Sequence, residues 1–275
     1  MKSIQGKTAL VTGASSGIGK CTVELLLKQG TTVYAAARRV ENMKELESIG
    51  AKTVQLDVTD EASIAAAIGL ITGNGNTVDI LINNAGYGSY GAIEDVPIAE
   101  ARRQFEVNLF GLAALTQLVL PEMRNKQYGK IVNISSMGGR VFTPFGGWYH
   151  ATKHALEGWS DCLRLEVQSF GVDVIIIEPG GIKTPWGSIA AGNLRKTSAN
   201  GAYAGKANKT ADGMEKTYSK NFLTDPLVIA KTIVQAVTDG KPKRRYVKGL
   251  GAAPALFVRR WLGDAVYERI IGLMM

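Results

Sequence analysis

Tyr149 and Lys153 stand four residues apart in "GGWYHATKHALEGW" (146–159), directly after a Gly-Gly corner and within an amphipathic helical pattern. Residues at i and i+4 share a helix face, so phenol and ammonium can point together into one cleft. A free tyrosine titrates at about 10, poorly matched to proton transfer at neutral pH. An ammonium ~4 Å away favours the phenolate by roughly 4 kcal/mol at an effective dielectric of about 20, on the order of three pKa units as an upper bound. The chemistry expected is proton exchange with a substrate oxygen, with Lys153 lowering the pKa of Tyr149. His150 and His154 repeat the spacing one position on and, with Glu157, could mimic a metal site. They face about 100° away around the helix, so packing or solvent exposure is expected and no metal.

A second group of residues suits phosphate. "VTGASSGIGK" (11–20) follows an apolar run and opens a helical pattern, with Gly13, Gly17 and Gly19 in the spacing G-x-x-x-G-x-G. The first glycine permits the turn, the second admits a pyrophosphate to the backbone, and the third lets helix and strand pack closely. The helix N-terminus then offers N–H groups to the anion. The next apolar run ends "AAARR", with Ala37 where a carboxylate would ordinarily hold a ribose 2′-OH. Arg38 and Arg39 suit a 2′-phosphate instead, because guanidinium groups donate charged, bidentate hydrogen bonds. Ser15 or Ser16 can add a hydroxyl. NADP(H) is therefore expected over NAD(H).

These residues need a frame. With 275 residues, 45% of them hydrophobic, the chain can bury a full core. Runs at 7–13, 31–37, 52–56, 78–84, 130–135, 172–178 and 244–248 read as strands, several almost wholly apolar, as in parallel sheets covered on both faces. Helical patterns lie near 17–29, 41–49, 60–72, 98–125, 148–170 and 226–239. Alternating β–α units with short corners argue for one doubly wound parallel α/β sheet. No linker divides it. The expected division is a catalytic domain over 1–251 and a helical extension over 252–275. Residues 186–224, rich in Gly, Ala, Asn and Lys, are expected to be a long lid loop. The extension reads as one apolar helix after Pro254, open to three uses: subunit packing, cover for the cleft, or contact with a membrane surface through Arg259, Arg260 and Trp261.

Composition narrows the partners. The net charge is +8, and much of the excess lies in "KPKRRYVK" (241–248) with Arg259 and Arg260. Without an aromatic platform or a known module, nucleic-acid binding is not expected. No run of eighteen apolar residues occurs, so no membrane span is expected. Cys21 and Cys162 read as free thiols, and no signal peptide precedes the first strand, so a cytoplasmic setting is expected.

"TGASSGIG", "LDVTD" (56–60), "NNAG" (83–86), "YHATK" and "EPGGIKT" (178–184) occur in this order, and the chain thereby resembles a classical short-chain dehydrogenase/reductase over about residues 5–248. Its last segment is more loosely similar to a bacterial group likened to 17β-hydroxysteroid and retinol dehydrogenases. The resemblance implies a Rossmann-type sheet of about seven strands in the order 3-2-1-4-5-6-7. It places Gly13, Ser15, Ser16, Gly17, Ile18 and Gly19 around the cofactor, Asp57 and Val58 at its adenine, and Asn84, Ala85 and Gly86 along its path, with Asn83 bracing the sheet. Pro179, Gly180, Ile182 and Thr184 would hold the nicotinamide end. Tyr149 and Lys153 would touch the cofactor too. Ser136, thirteen residues before Tyr149, matches the family's catalytic serine and would polarise the carbonyl. Asn108 matches its catalytic asparagine, holding a water that links Lys153 to solvent.

The function implied is hydride exchange between NADP(H) and a hydrophobic ketone, aldehyde or alcohol, steroid- or retinoid-like, with Phe142, Phe145 and Trp186 lining the pocket. A homodimer or homotetramer is implied. Two other readings are a non-catalytic NADP(H) sensor, opposed by the four catalytic matches, and NAD-dependent oxidation of a small polar alcohol, opposed by Arg38 and the aromatic residues.

Overall fold

The computed structural model describes residues 3–219 and 222–273. Seven strands make its centre: β1 (Thr8–Thr12), β2 (Thr32–Ala37), β3 (Lys52–Gln55), β4 (Ile80–Asn83), β5 (Gly129–Ile134), β6 (Val172–Pro179) and β7 (Arg245–Lys248). They form one sheet in the order β3-β2-β1-β4-β5-β6-β7, with every pairing parallel. This is the expected order. Successive residues face opposite sides. Ala9, Val11, Ile80 and Ile82 join one apolar layer with Val23 and Leu26 of α1 (Gly17–Lys28) and Ile229 and Ile233 of α9 (Pro226–Thr238). Leu10, Leu81 and Ile131 join the other, with Ile64 of α3 (Glu61–Gly73), Leu115 of α5 (Gly111–Asn125) and Leu163 of α6 (Gly147–Val167). Burial on both faces is why these strands lack polar alternation.

The order reverses between β1 and β4, which opens a crevice beyond their C-terminal ends, where doubly wound sheets bind ligands. Four local features depart from the expected elements. The 41–49 helix is a 3-10 turn, Val40–Met43, followed by the short α2 (Lys44–Ser48). The helix expected over 98–125 is α4 (Ile98–Phe105) and α5, joined by a wide π turn at Glu106–Phe110 that contains Asn108. Such turns insert a residue without ending the helix, so apolar periodicity does not reveal them.

The expected lid loop is largely a helical hairpin: α7 (Trp186–Ser198) and α8 (Ala204–Ser219). Ala190, Ala191 and Leu194 pack against Ala207 and Ala211. An interface of alanines gives little hydrophobic contrast in sequence, and the glycine and asparagine content read as loop. The extension is not a single helix either. α10 (Ala252–Phe257) runs into a π turn at Val258–Leu262, and Gly263, at φ +79°, starts α11 (Gly263–Leu273) in a new direction. Tyr267 anchors it, donating its hydroxyl to the Phe142 carbonyl at 2.8 Å.

The hairpin depends on a glycine. A Cβ on Gly187 would lie 2.2 Å from the Tyr218 ring, inside van der Waals contact. Gly187→Ala is expected to destabilise the α7–α8 contact by about 1–3 kcal/mol. Hydrogen exchange should accelerate across residues 199–219 while β1, β4 and β5 keep their protection; unchanged exchange in the hairpin would contradict this packing.

Candidate active site

The glycine corner forms because β1 turns sharply into α1. Gly13 and Gly17 have φ of +64° and +54°, the left-handed region that other residues avoid. A Cβ on Gly19 would stand 2.4 Å from the Gly13 carbonyl oxygen, so helix and strand pack closely only with glycine there. Ser16 stands at the N-cap without a side-chain cap bond, leaving the first turn's N–H groups free of that partner. Thr184 reaches over from the loop after β6: its Cγ2 is 3.1 Å from where a Gly17 Cβ would be. The fold thus unites "GASSGIG" with "PGGIKT", segments far apart in the chain.

Asn84 joins this corner to the end of β4, donating Nδ2–H to the carbonyls of Thr12 at 2.9 Å and Gly13 at 3.1 Å. Thr12 Oγ1 accepts from the N–H groups of Asn84 and Ala85, both at 3.0 Å. Asn83 braces the sheet as expected, donating to Asn133 Oδ1 at 2.9 Å. Pro179 ends β6, and Gly180 N–H then donates to the Lys248 carbonyl at 2.8 Å. Ile182 is buried beside Thr224.

At the far end of the crevice, Arg38 and Arg39 are exposed at the C-terminus of β2, and Val58 is buried. Burial pushes the Asp57 carboxyl up, but the N–H and hydroxyl of Thr59 and the charges of Arg38 and Arg103 hold it below its ordinary value. The charge of Arg38 thus acts on the Asp57 corner. Arg103 joins it from α4, a position no motif marked.

Ser136 follows β5, and its Oγ accepts the Gly138 N–H at 3.0 Å. Its side chain also acts on the Tyr149 phenol, buried near the start of α6, in the direction that would lower its pKa. Lys153, one turn on and also buried, donates to the Ile134 carbonyl at 2.8 Å. Nζ lies 3.7 Å from where a Gly86 Cβ would be, beside the end of β4. Asn108 is buried in its π turn: Nδ2 donates to Tyr87 O at 2.9 Å and Thr152 Oγ1 at 3.1 Å, and Oδ1 accepts Tyr87 N–H at 3.1 Å. Its amide is engaged in holding the segment after β4.

One expectation fails here. The Tyr149 phenol is not lowered; burial pushes it up to about 12, against the opposing effect of Ser136, while burial pushes Lys153 down to about 8 against the charge of Glu157. Both side chains have left water, which favours each neutral form. At neutral pH both groups keep their protons, a phenol with an ammonium one helical turn away.

Trp186 packs on Tyr149, with ring centroids 5.2 Å apart, and Tyr90 completes a three-ring cluster at 6.0 Å from Tyr149 and 5.8 Å from Trp186. Phe145 lies in the same apolar cluster and meets Tyr203. Phe142 does not. It packs in a different cluster, with its ring centroid 5.2 Å from that of Tyr267, under the C-terminal helices. Of the three aromatic residues expected at the pocket, Phe145 and Trp186 join Tyr149 and Phe142 supports the extension.

His150 is buried and His154 is exposed. Thr143 N–H donates to His150 Nε2 at 3.0 Å, which leaves Nδ1–H to donate to the Gly138 carbonyl at 2.9 Å. The imidazole thus ties the segment after Ser136 to α6 in its neutral form.

Comparison with known proteins decides the family. The family model described as short chain dehydrogenase matches residues 7–191. The chain belongs to the short-chain dehydrogenase family. The probable short-chain dehydrogenase/reductase VdlC of Helicobacter pylori is 39% identical over 267 residues, 97% of each chain. An NADPH-dependent 3-dehydrocapnine reductase of Ornithobacterium rhinotracheale is 37% identical over 252 residues, 87% of each. A crystal structure of a short-chain dehydrogenase from Streptomyces avermitilis superposes with a TM-score of 0.81 at 34% identity, covering 98% of this chain and 96% of that one. The family's oxidoreductase chemistry at alcohol and carbonyl groups, with a nicotinamide cofactor, extends to this member.

Burial lowers the His150 pKa, so its neutral form stabilises the fold fully above the unfolded value of about 6.5 and that contribution is lost as pH falls. His150→Phe, which strands a buried N–H and a buried carbonyl, should cost about 1–3 kcal/mol. Its urea midpoint should lose the part of the decline below pH 6.5 that the parent shows. An identical pH profile in parent and variant would contradict the clamp.

Proposed function

We propose that this member is an NADP(H)-dependent oxidoreductase that reduces an apolar ketone or aldehyde, and oxidises the alcohol in reverse, with Tyr149 as the proton donor. The observation that carries the reading is the buried Tyr149 phenol, set against Trp186, with Lys153 buried one turn on along α6.

The residues fit the cofactor. The turn at Gly13 and Gly17 leaves a cradle that side chains would fill, and Thr184 borders it. Gly13, Ser15, Ser16, Gly17, Ile18 and Gly19 would hold the pyrophosphate, Asp57 and Val58 the adenine, Ala85 and Gly86 the path between, and Pro179, Gly180, Ile182 and Thr184 the nicotinamide end. Arg38, with Arg39, would receive the 2′-phosphate, since both are exposed at the end of β2 and no carboxylate stands at position 37. The likeness to an NADPH-dependent reductase agrees. Bound there, the cofactor supplies the hydride.

The chain's residues supply the rest. Ser136 Oγ donates to the substrate oxygen and stabilises its developing charge. Tyr149 gives that oxygen its proton. The Lys153 ammonium stabilises the phenolate left behind, which counts for most in a dry site. Asn108 fixes the Tyr87 segment and Thr152, and so acts by positioning. Trp186, Tyr90 and Phe145 favour an apolar substrate over a small polar one. The exposed apolar residues Phe257 and Trp261 on the extension suit a homo-oligomer contact.

A panel of ketones graded in size and polarity, assayed with both cofactors, tests this reading. Bulky apolar ketones with NADPH should give the highest kcat/KM. Arg38→Asp should lower kcat/KM with NADPH by about 10–100-fold, as expected for one lost charge-assisted contact, and change that with NADH little. Preference for NADH, or turnover confined to small polar compounds, would reject it.

A further inference from the structure

Below the reacting groups lies a buried charge cluster that the proposed chemistry does not use. Glu157, one turn beyond Lys153, and Glu178, at the end of β6, are both buried and share one guanidinium. Arg245 Nε, reaching in from β7, is 2.9 Å from Glu157 Oε2 and 3.1 Å from Glu178 Oε1. The other face of Arg245 meets Asp161 at 2.6 Å, and Arg140, from the turn after Ser136, approaches Glu178 at 3.4 Å. The cluster ties together α6, β6, β7 and the segment carrying Ser136.

Glu157 differs from its neighbours in one respect. Oε2 is bonded to Arg245, whereas Oε1 is buried without a hydrogen-bond partner, as is Ser135 Oγ. Both residues crowd Gly139: an added Cβ there would lie 2.7 Å from Ser135 Oγ, 2.9 Å from Glu157 Cγ and 3.0 Å from the Lys153 carbonyl. A carboxylate with an unsatisfied oxygen is costly to bury, and replacing it by an apolar side chain would be the simpler packing solution. A fixed negative charge one helical turn from a buried ammonium gives that cost a use.

We propose that Glu157, held by Arg245, is a positioning residue that keeps Lys153 charged in its buried site and so sets the upper pH limit of catalysis. The proposal rests on reading Lys153 as part of the reacting group. Within a turn of it on α6 stand Tyr149, His150, His154 and Glu157; the elements packed against α6 bring Glu178 from β6, Arg140 from the turn after Ser136, Glu106 in the π turn beside the uncharged Asn108, and Glu100, Arg102 and Arg103 on α4, while Arg245 reaches Glu157 from β7. Burial pushes Lys153 down to about 8 and the charge of Glu157 opposes that, so Lys153 is the group proposed to set the alkaline limb of activity. Removing the negative charge must move that limb downward.

The test is the pH profile of kcat/KM for ketone reduction at saturating NADPH, from pH 6 to 10, in the parent enzyme, Glu157→Gln and Glu157→Asp. Gln matches Glu in shape, and Asp161 and Glu178 still hold Arg245. The alkaline limb of Glu157→Gln should fall by about one pH unit, with most of the turnover retained at pH 6. Glu157→Asp keeps the charge and should restore the limb to within about 0.3 unit of the parent. A Gln variant that is merely less stable, with an unmoved limb, overturns the proposal. So does a Gln variant that does not fold while Glu157→Asp folds with the parent's limb, because Glu157 is then structural. Lys153→Ala run alongside separates the two claims. If it keeps parental turnover, the role of Lys153 falls; if it is inactive while Glu157→Gln shows an unmoved limb, only the role of Glu157 falls.

Discussion

Removing an ammonium and a phenol from water on one helix face is the constraint that the rest of this molecule answers. An unpaired buried ammonium costs several kcal/mol even after relaxation. Lys153 is held at the end of β5 by the Ile134 carbonyl, and α6 must therefore lie in one register on the sheet. Tyr149 then falls beside Ser136, because one strand end supplies both the carbonyl for the lysine and the hydroxyl for the tyrosine. The segment between them is secured by His150, whose two ring nitrogens bond Gly138 and Thr143. Phe145, at φ +66°, makes the turn that brings the chain back into α6.

The remaining parts bring a second molecule to this pair. The strand order opens the crevice between β1 and β4, and the glycine corner clears its floor. Asn84 and Asn83 fasten the end of β4 to its neighbours through side-chain amides, so that Gly86 runs past Lys153 without obstruction. The π turn at Asn108 belongs to the same arrangement. An ordinary helix continuing through 98–125 would present a different side chain there, whereas the wide turn directs an amide onto both hydrogen-bonding groups of Tyr87. Trp186 and Tyr90 then close the space above the phenol. Each is accommodated by a missing side chain: a Cβ on Gly88 would meet the Trp186 ring at 2.5 Å, and one on Gly146 would lie 3.0 Å from Tyr90.

How much of this could be read from the chain depended on the kind of interaction. Strands buried on both faces announce themselves as apolar runs, and the glycine corner, Ser136 and the Tyr149–Lys153 pair stand at recognisable spacings. The helices α7 and α8 were obscured because alanines make their contact. Phe142 and Phe145 are three residues apart and were assigned together, yet one supports the C-terminal helices and the other the tyrosine wall. Tyr90 and Arg103 carry no periodic or motif signal and enter only through tertiary folding. The shift of Tyr149 differs in sign from the expectation of its spacing for a related reason. Spacing reveals a neighbour's charge, but the dielectric around a residue comes from everything packed on it, and here desolvation is the largest cause.

In the proposed mechanism the buried phenol of Tyr149 delivers the proton when a carbonyl is reduced. Its most direct test follows deuterium from 4-deuterated NADPH into the carbinol carbon of an apolar ketone, in parent and Tyr149→Phe enzyme, with cofactor binding measured separately by fluorescence. The parent should label its product stoichiometrically. The variant should bind NADPH with similar affinity and transfer label at least ~100-fold more slowly, the scale of a lost general acid. A variant that binds the cofactor and labels the product at the parental rate would contradict the claim.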